Sequence, residues 1–289
     1  MYLGLNESIN YNRSEQGMGK VIFVGNGINR IQSNYSWLQL LEDLKKEAKV
    51  DKEVINGNKP FPILYEEIYF RSKKQYGLKE QQLLDLTVEK MRAMKGNEIH
   101  KKIMQIKNVD TIITTNYDYT LETSLVSKFY PISKSKKKAV EKIYRITTCN
   151  KVANKYVWHI HGELNYPRSI VLGQNMYTRI IGKIQEYFSC DTFLQEGQSW
   201  IDAMFMSEVH MFGFGLDYSE LDIWSILNAR VRYYHKHKQP NKVFFYLYSF
   251  TPDEVMDLET TLESYQIKVV KNKKGEEAKK FYERILSQI

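Results

Sequence analysis

A cluster of polar side chains follows an apolar run near the middle of the chain. Residues 109–113 are mainly apolar, and the next six, 114–119, read TTNYDY. Thr115, Asn116 and Asp118 therefore stand at the carboxyl end of a predicted strand. In open α/β sheets, ligands bind outside the carboxyl ends of the strands. These side chains predict a ligand-binding site.

A second candidate for chemistry is the histidine pair in WHIHG, residues 158–162. His159 and His161 are two positions apart and fall on one face of a strand. This spacing suits either a metal pair or an acid/base group with a structural neighbour. No third or fourth ligand follows at a recognisable spacing, so the pattern gives little support for a metal. A histidine directly before a glycine at the carboxyl end of a strand favours a site.

Two glycine motifs also follow apolar runs. In VGNGINR, residues 24–30, Gly25 and Gly27 permit a tight turn whose backbone N–H groups could approach a phosphate. Arg30 stands where the dinucleotide-binding fingerprint has its third glycine. On this motif alone, a turn without a ligand and a nucleotide-binding loop are about equally favoured.

The other glycine motif, GFGLDYSELDIW, begins at residue 213. Ser219 as a helix N-cap and Asp222 at the third helical position would form a capping box, which explains both residues structurally. The functional alternative is a second cradle for a phosphate or a ribose. Three strand ends with this chemistry support a functional interpretation more strongly than one does.

Strands and helices alternate along the chain and place these motifs at strand ends. The predicted strands are residues 20–24, 109–114, 156–161, 169–172, 208–212, 242–247 and 267–270. The predicted helices are 37–50 with Ser36 as its N-cap, 63–71, 82–94, 99–106, 179–200, 219–235, 252–265 and 276–287. This alternation predicts an α/β, Rossmann-like, mostly parallel sheet flanked by helices. The run of helices after the first strand predicts a helical insertion.

The length of 289 residues and the hydrophobic content of 43% fit one domain. We predict a single domain over 1–289, with a helical insertion at about 31–107. Residues 18–30 and 108–289 then form the Rossmann-like core.

The charge and cysteine content narrow the class of protein. The net charge is +8 and the pI about 9.1, which favours acidic partners such as phosphates, nucleotides or nucleic acid. The lysine-rich stretch 128–142, with KSKKK at 134–138, is interpreted as a solvated loop. Two cysteines, Cys149 and Cys190, exclude a disulfide framework and a four-cysteine zinc site. Without a signal-peptide core or a membrane-spanning run, a cytoplasmic protein is expected.

Taken in order, GNGINR, TTNYD, HIHG and GFGLD resemble the motif series of the sirtuin family. That series has a glycine-rich loop, a helical insertion, a TQNID-type motif, a histidine-glycine pair and a late glycine motif. SWLQL at 36–40 and SIVLGQNMY at 169–177 resemble the bacterial sirtuin-like branch, which includes NAD-hydrolysing effectors of antiphage defence. The four zinc-binding cysteines of the deacetylases have no counterpart here, and Thr115 replaces their usual glutamine. The resemblance therefore implies an NAD site without deacetylation.

The resemblance also implies roles for individual residues. Asn116 orders a water near the anomeric carbon of the ribose, Asp118 recognises the carboxamide of nicotinamide, and His161 is the second catalytic residue, a base. The implied NAD-binding residues are Gly25, Asn26, Gly27, Ile28, Asn29, Thr115, Asp118, Gly213, Gly215, Leu216 and Asp217. Neither a metal nor a cofactor other than NAD as substrate is expected.

The function implied by the resemblance is NAD hydrolysis to nicotinamide and ADP-ribose, by an NAD-depleting effector of bacterial antiphage defence. The alternatives are an ADP-ribosyl transferase or cyclase, a non-catalytic sensor of NAD or ADP-ribose and, less favoured, a nucleic-acid-binding protein. An NAD-draining enzyme must be silent until needed. We therefore expect a homo-oligomer or a separate regulatory protein as partner, and neither a membrane nor direct nucleic-acid binding.

Overall fold

A single sheet forms the centre of the molecule. The structure, a computed structural model, describes residues 19–33, 35–52, 54, 57–134, 143, 145–194, 198–237, 240–249 and 255–289. Within these ranges the strands are β1 (Lys20–Val24), β2 (Val109–Thr114), β3 (Tyr130–Ser133), β4 (Thr148–Val152), β5 (Lys155–His159), β6 (Glu208–Phe212), β7 (Val243–Leu247) and β8 (Lys268–Lys271). Their order across the sheet is β3-β4-β5-β2-β1-β6-β7-β8. Neighbours from β5 to β8 pair in parallel, while β4 is antiparallel to both β3 and β5. The predicted Rossmann-like α/β fold is confirmed.

Helices connect the strands and cover both faces of the sheet. They are α1 (Trp37–Glu47), α2 (Phe61–Tyr76), α3 (Glu80–Arg92), α4 (Glu98–Gln105), α5 (Thr120–Thr123), α6 (Gln174–Phe188), α7 (Trp200–Met206), α8 (Leu221–His237), α9 (Met256–Ser264) and α10 (Ala278–Leu286). The predicted cap of α1 is confirmed, since Ser36 Oγ accepts a hydrogen bond from Gln39 N at 3.2 Å. Across the described ranges, no helix combines the length and the apolar character that a membrane span requires.

The register of the sheet aligns the carboxyl ends of four strands, so the polar motifs that follow them lie at the same edge. Val24 at the end of β1 is opposite Thr114 of β2 and Phe212 of β6, and Thr114 is opposite His159 of β5. The four segments that follow these residues therefore leave the sheet side by side. Strand order also reverses around β1, with β2 on one side and β6 on the other, which is where α/β sheets open a binding crevice.

Alternating residues of β1 serve the two faces of the sheet. Val21 and Phe23 pack in one core with residues of α6, α7 and α8. Ile22 and Val24 pack in a second core with residues of α4 and α10. Because both faces are buried, β1 reads as a continuous apolar run, as expected of a central parallel strand.

Helices α1, α2 and α3 form a module with its own core. Leu41, Leu64 and Val88 belong to this core, together with Tyr117 and Leu172 from the segments at the sheet edge. Helix α4 does not join it, because Ile99, Ile103 and Met104 pack against the sheet. We therefore place the end of the helical insertion before α4, earlier than the predicted boundary at 107.

The predicted strand at 169–172 is wrong. A 3₁₀ turn, Pro167–Ser169, precedes this segment, and Val171 N then donates to His161 O at 2.8 Å without forming a ladder. The segment is apolar because Ile170 and Leu172 fill the core of the helical module and Val171 fills a core of the sheet.

Four further predictions are corrected or fall partly outside the described ranges. β3 and β4 were not predicted, and β3 begins inside the stretch interpreted as a loop. The helix predicted at 179–200 is two helices, α6 and α7. The start of the predicted helix at 252 and most of KSKKK, residues 135–138, lie outside the described residues.

Candidate active site

The two glycine loops, defined here as residues 25–30 and 213–217, pack directly against each other. Gly25 N donates to Phe212 O and Gly27 N to Gly213 O, both at 2.8 Å. A Cβ atom added to Gly27 would lie 2.8 Å from Gly213 Cα, closer than real Cβ contacts allow. Gly213 itself has φ +69°, a conformation that favours glycine. Loop–loop packing therefore explains these glycines, and the N–H groups of Gly25 and Gly27 are already bound.

A buried polar cluster fixes the end of the first glycine loop. Asn29 Nδ2 donates to Asp118 Oδ2 at 2.9 Å, and Thr120 N donates to Asp118 Oδ1 at 3.0 Å. His100 Nε2 lies 2.9 Å from Asn29 Oδ1, while His100 Nδ1 accepts from Asn97 N at 3.0 Å. His100 is thus neutral with its proton on Nε2, in agreement with the burial that lowers its pKa to about 4. Helix α4 is in this way joined to the loop.

Asn116 sits at the turn that leaves β2. Thr114 Oγ1 donates to Val24 O at 2.9 Å and accepts from Asn116 N at 3.0 Å, so one hydroxyl joins the two strand ends. Asn116 Nδ2 lies 3.4 Å from Gly25 O. Its other side-chain atom, Oδ1, is buried and has no hydrogen-bond partner within the described part of the chain. A buried acceptor left in this way is unusual and indicates a position for a ligand or water.

His159 is sealed behind this turn. Its Nδ1 lies 2.7 Å from Asn116 O and its Nε2 lies 2.7 Å from Glu122 Oε1. Burial would lower the pKa of His159, but the contact with Glu122 outweighs it and raises the pKa to about 9. His159 is therefore an imidazolium that donates to both partners. The same carboxylate also accepts from Asn150 Nδ2 at 3.1 Å.

His161 has a different environment two residues later. Its Nε2 lies 2.7 Å from Asp222 Oδ2, at the start of α8. Burial opposes the charged form of His161, yet Asp222 outweighs it, so the pKa of His161 lies above its ordinary value. Nδ1 has no hydrogen bond to any described residue. A carboxylate that holds one ring nitrogen leaves the other oriented for proton transfer.

Two adjoining cavities open over these residues. The first has a volume of about 870 Å³ and lies along both glycine loops, and Arg30 and Tyr282 also line it. The second, of about 590 Å³, lies between His161 and the helical module. The two share four lining residues: Trp37, Thr115, Asp217 and Glu220. Together they form an elongated site whose parts are each of the size that holds a small-molecule ligand.

Comparison with known proteins identifies the family of this chain. Residues 110–270, more than half of the chain, match the model of the SIR2-like domain. The chain belongs to the SIR2-like family. The matched part of this SIR2-like chain runs from β2 into β8, so it contains TTNYDY, HIHG and GFGLD, whereas the glycine loop at 25–30 precedes it. A curated relative is the NAD(+) hydrolase ThsA of Enterococcus faecium, 25% identical over 161 residues. That alignment covers 55% of this chain and 30% of the relative.

Most predicted NAD-binding residues line the cavities of the SIR2-like domain. Those that do are Asn26, Gly27, Thr115, Gly213, Gly215, Leu216 and Asp217. Those that do not are Gly25, Ile28, Asn29 and Asp118. Ile28 is a core residue, and both carboxyl oxygens of Asp118 are bound to Asn29 and Thr120. The contacts of Asp118 give it a role in holding the loop.

Of the two predicted catalytic residues, His161 lines the second cavity, whereas Asn116 lies just behind the lining at 2% exposure. Its neighbours Thr115 and Tyr117 do line that cavity. The structure thus brings both residues to one end of the site, with Asn116 beneath the glycine loop.

The predicted capping box at the start of α8 is wrong, and Asp222, which was assigned to it, is a residue of the site. The helix begins at Leu221, and Asp222 faces His161 instead of the helix start. Glu220 was also missed; burial raises its pKa to about 7. Glu122 and His100 complete the residues that sequence reasoning did not find. Only Asp222 and Glu220 had a signal, since both stand in one of the quoted motifs.

The described residues contain no group of three or more histidine, cysteine, aspartate or glutamate side chains that could hold a metal. Cys149 is buried, and burial raises the pKa of its thiol to about 12.

Proposed function

We propose that this protein hydrolyses NAD to nicotinamide and ADP-ribose. The observation that carries the proposal is the position of His161, held by Asp222, in a cavity that adjoins the one along the glycine loops and shares four lining residues with it. A dinucleotide needs an elongated site with a phosphate region at its middle and a reactive end. The match to the SIR2-like domain and the name of the curated relative support NAD as that dinucleotide.

The reaction breaks the bond between the nicotinamide nitrogen and the anomeric carbon of the ribose. Nicotinamide leaves as a neutral molecule and needs no proton, while the ribose becomes an oxocarbenium-like cation, as in glycoside hydrolysis. Water then forms the new bond to the anomeric carbon and loses one proton. A pair of carboxylic acids is therefore not required, but one base is.

His161 is the proposed base. Asp222 holds its Nε2, so Nδ1 of the neutral imidazole is available to accept the proton of the attacking water. Asp222 raises the pKa of His161, so the neutral form that can accept a proton becomes abundant at higher pH than in an ordinary histidine.

Asn116 is the proposed second catalytic residue. Its buried Oδ1 lacks a partner in the described structure, which is the acceptor that a water or a ribose hydroxyl would satisfy. His159 fixes the Asn116 backbone from behind at 2.7 Å. A polar group held rigidly in this way stabilises developing charge without having to reorganise.

The phosphates of NAD belong to the first cavity in this proposal. Arg30 lines the first cavity but not the second. Asn26 and Gly27 of the first loop and Gly215 of the second line the same cavity. A guanidinium group is well suited to phosphate. We propose Arg30 as a phosphate contact, together with the predicted loop residues that line this cavity; the N–H groups of Gly25 and Gly27 are not among the proposed contacts, because both are bound to backbone oxygens.

The physiological part of the proposal rests on the resemblance to bacterial sirtuin-like effectors. It comprises depletion of NAD during antiphage defence, action in the cytoplasm, and control through a homo-oligomer or a partner protein.

Transfer of ADP-ribose to an acceptor is the second candidate. The second cavity, of about 590 Å³, is large enough for a whole small molecule, and Leu38, Leu41 and Phe61 of the helical module line it. An acceptor with an apolar body could occupy this space beside nicotinamide, and its hydroxyl or amine group would form the bond to the anomeric carbon and lose a proton in place of water.

A product assay tests the proposal. Purified protein is incubated with NAD, and nicotinamide, ADP-ribose and cyclic ADP-ribose are quantified. We expect equal amounts of nicotinamide and ADP-ribose from the full chain in its active assembly. Asn116→Ala should lower nicotinamide release by roughly 10²-fold or more, the scale of deleting a positioned polar group.

The matched control is Asn165→Ala, which removes an exposed amide after the histidine motif. It should leave turnover unchanged. Full turnover in Asn116→Ala would remove the catalytic assignment, and a cyclic product or a labelled acceptor would replace hydrolysis with cyclisation or transfer.

A further inference from the structure

Glu220 has a carboxyl group that the fold does not satisfy. It lies between the second glycine loop and α8, and it lines both cavities. Its Oε2 is buried and has no hydrogen-bond partner among the residues described. Burial also raises the pKa of this carboxyl to about 7. Such a group is costly to bury and calls for a functional explanation.

The position of Glu220 restricts what can contact it. Because Glu220, Asp217, Thr115 and Trp37 line both cavities, a ligand that extends from one cavity into the other must pass them. The two carboxyl groups disfavour a phosphate, and they and the Thr115 hydroxyl can accept hydrogen bonds from neutral O–H donors. Arg30, in contrast, lines only the first cavity. Lys59 lines the second cavity, but its ammonium group is paired with Glu67 Oε2 at 2.6 Å. The charges of the lining therefore favour phosphate on the Arg30 side and a polyhydroxyl group at the junction.

The neighbours of Glu220 indicate which part of the ligand lies at the junction between the two cavities. His161 and Asp222 both interact electrostatically with Glu220, the histidine favouring its charged form and the aspartate opposing it. The junction is thus on the His161 side of the site.

We infer that Glu220 binds the hydroxyl groups of the ribose that carries nicotinamide, and so fixes the sugar whose bond is cleaved. This inference rests on the proposed NAD site and adds to it a residue that recognises the substrate. Vicinal hydroxyls are suited to a carboxylate because both can donate to it.

The inference has a signature that a structural role would not produce. Glu220→Gln keeps the size of the side chain and replaces the buried ionisable carboxyl with a neutral amide. Since the fold provides no partner for Oε2 in the described structure, the variant should melt at the same temperature as the wild type or above it. It should nevertheless bind its ligand more weakly.

The test uses ADP-ribose, which keeps this ribose and is not cleaved. Calorimetry measures its affinity for the wild type and for Glu220→Gln, with Glu186→Gln on the exposed side of α6 as the control. Two analogues accompany it: one lacks a hydroxyl on the terminal ribose, the other lacks the 2′-hydroxyl of the adenosine ribose. We expect Glu220→Gln to bind ADP-ribose roughly tenfold more weakly or worse, as for a lost hydrogen bond to a charged group.

The analogues decide the outcome. Glu220→Gln should lose sensitivity to the missing terminal hydroxyl and keep its sensitivity to the missing adenosine hydroxyl. Equal affinities of wild type and variant, or the same loss for all three ligands, would overturn the inference. Nicotinamide release is measured separately: release together with binding that does not depend on Glu220 overturns only the inference. Hydroxyl-dependent binding without release supports the inference and contradicts hydrolysis.

Discussion

His159 and His161 are only two residues apart, but they differ in charge, in hydrogen bonding and in access to the cavity. His159 is fully buried, carries a charge and has both nitrogens bound, one to the backbone of Asn116 and one to Glu122. His161 has one nitrogen bound to Asp222 and faces a cavity. The first can position other groups but cannot exchange a proton with a ligand. The second is oriented and accessible, which is what proton transfer requires.

The largest expected effect separates the two histidines by activity. His161→Ala removes the proposed base and should lower nicotinamide release by roughly 10² to 10⁴-fold. His235→Ala, which removes an exposed histidine of α8, is the control and should keep full activity. Turnover within a few-fold of the wild type in His161→Ala would end its assignment as the base.

The next effect separates them by stability. His159→Ala leaves Glu122 buried without its cationic partner, which typically costs about 3–5 kcal/mol of unfolding free energy. His161→Ala should cost less, because His161 lines the second cavity and removing its side chain opens a path for water to Asp222. Denaturant unfolding of both variants at pH 7 measures the difference, and equal losses would break the comparison.

The same contrast has a pH signature. The pKa of His159 is raised from 6.5 to about 9 in the folded protein, so its contribution is fully present below pH 6.5 and is lost as the pH rises through 9. The wild type should therefore lose unfolding free energy across this window. His159→Ala should lack that part of the pH dependence.

The smallest effect concerns the pH dependence of turnover. Nicotinamide release should increase with pH as His161 loses its proton, and Asp222 holds the pKa of His161 above its ordinary value. In Asp222→Asn this rise should move to lower pH, although Glu220, which also raises that pKa, remains. Rates measured from about pH 5 to 9 give the shift. A rise at the wild-type position would show that Asp222 does not tune His161.

The sequence predicted the parts of this molecule that depend on local pattern. Central strands such as β1 and β6 are apolar runs that end at polar motifs. The sequence therefore predicted where these strands lie and that the site is at their carboxyl ends. β3 and β4 escaped because they are short antiparallel strands at the edge, and TCNKV in β4 has no apolar run. The segment at 169–172 was misread because residues buried against helices resemble a strand in composition.

The site was predicted to the extent that single motifs define it. His161 and Asn116 stand in motifs, and both lie where the strand ends meet. Their partners come from elsewhere in the chain: Glu122 is 37 positions from His159, and Asp222 is 61 from His161. Pairs of this kind depend on the tertiary fold. Asp222 was assigned to a capping box because its spacing from Ser219 is enough, in the sequence, to explain an aspartate at that position.

Because Gly27 and Gly213 are in close contact, neither glycine loop can be changed independently of the other. Each loop occupies the space that a side chain on the other would need, and a backbone hydrogen bond joins them. Grafting residues 25–30 from another member of the family into this chain would therefore require residues 213–217 from the same donor. For protein engineering, the interchangeable part of this fold is a matched pair of loops that lie nearly 190 residues apart in the chain.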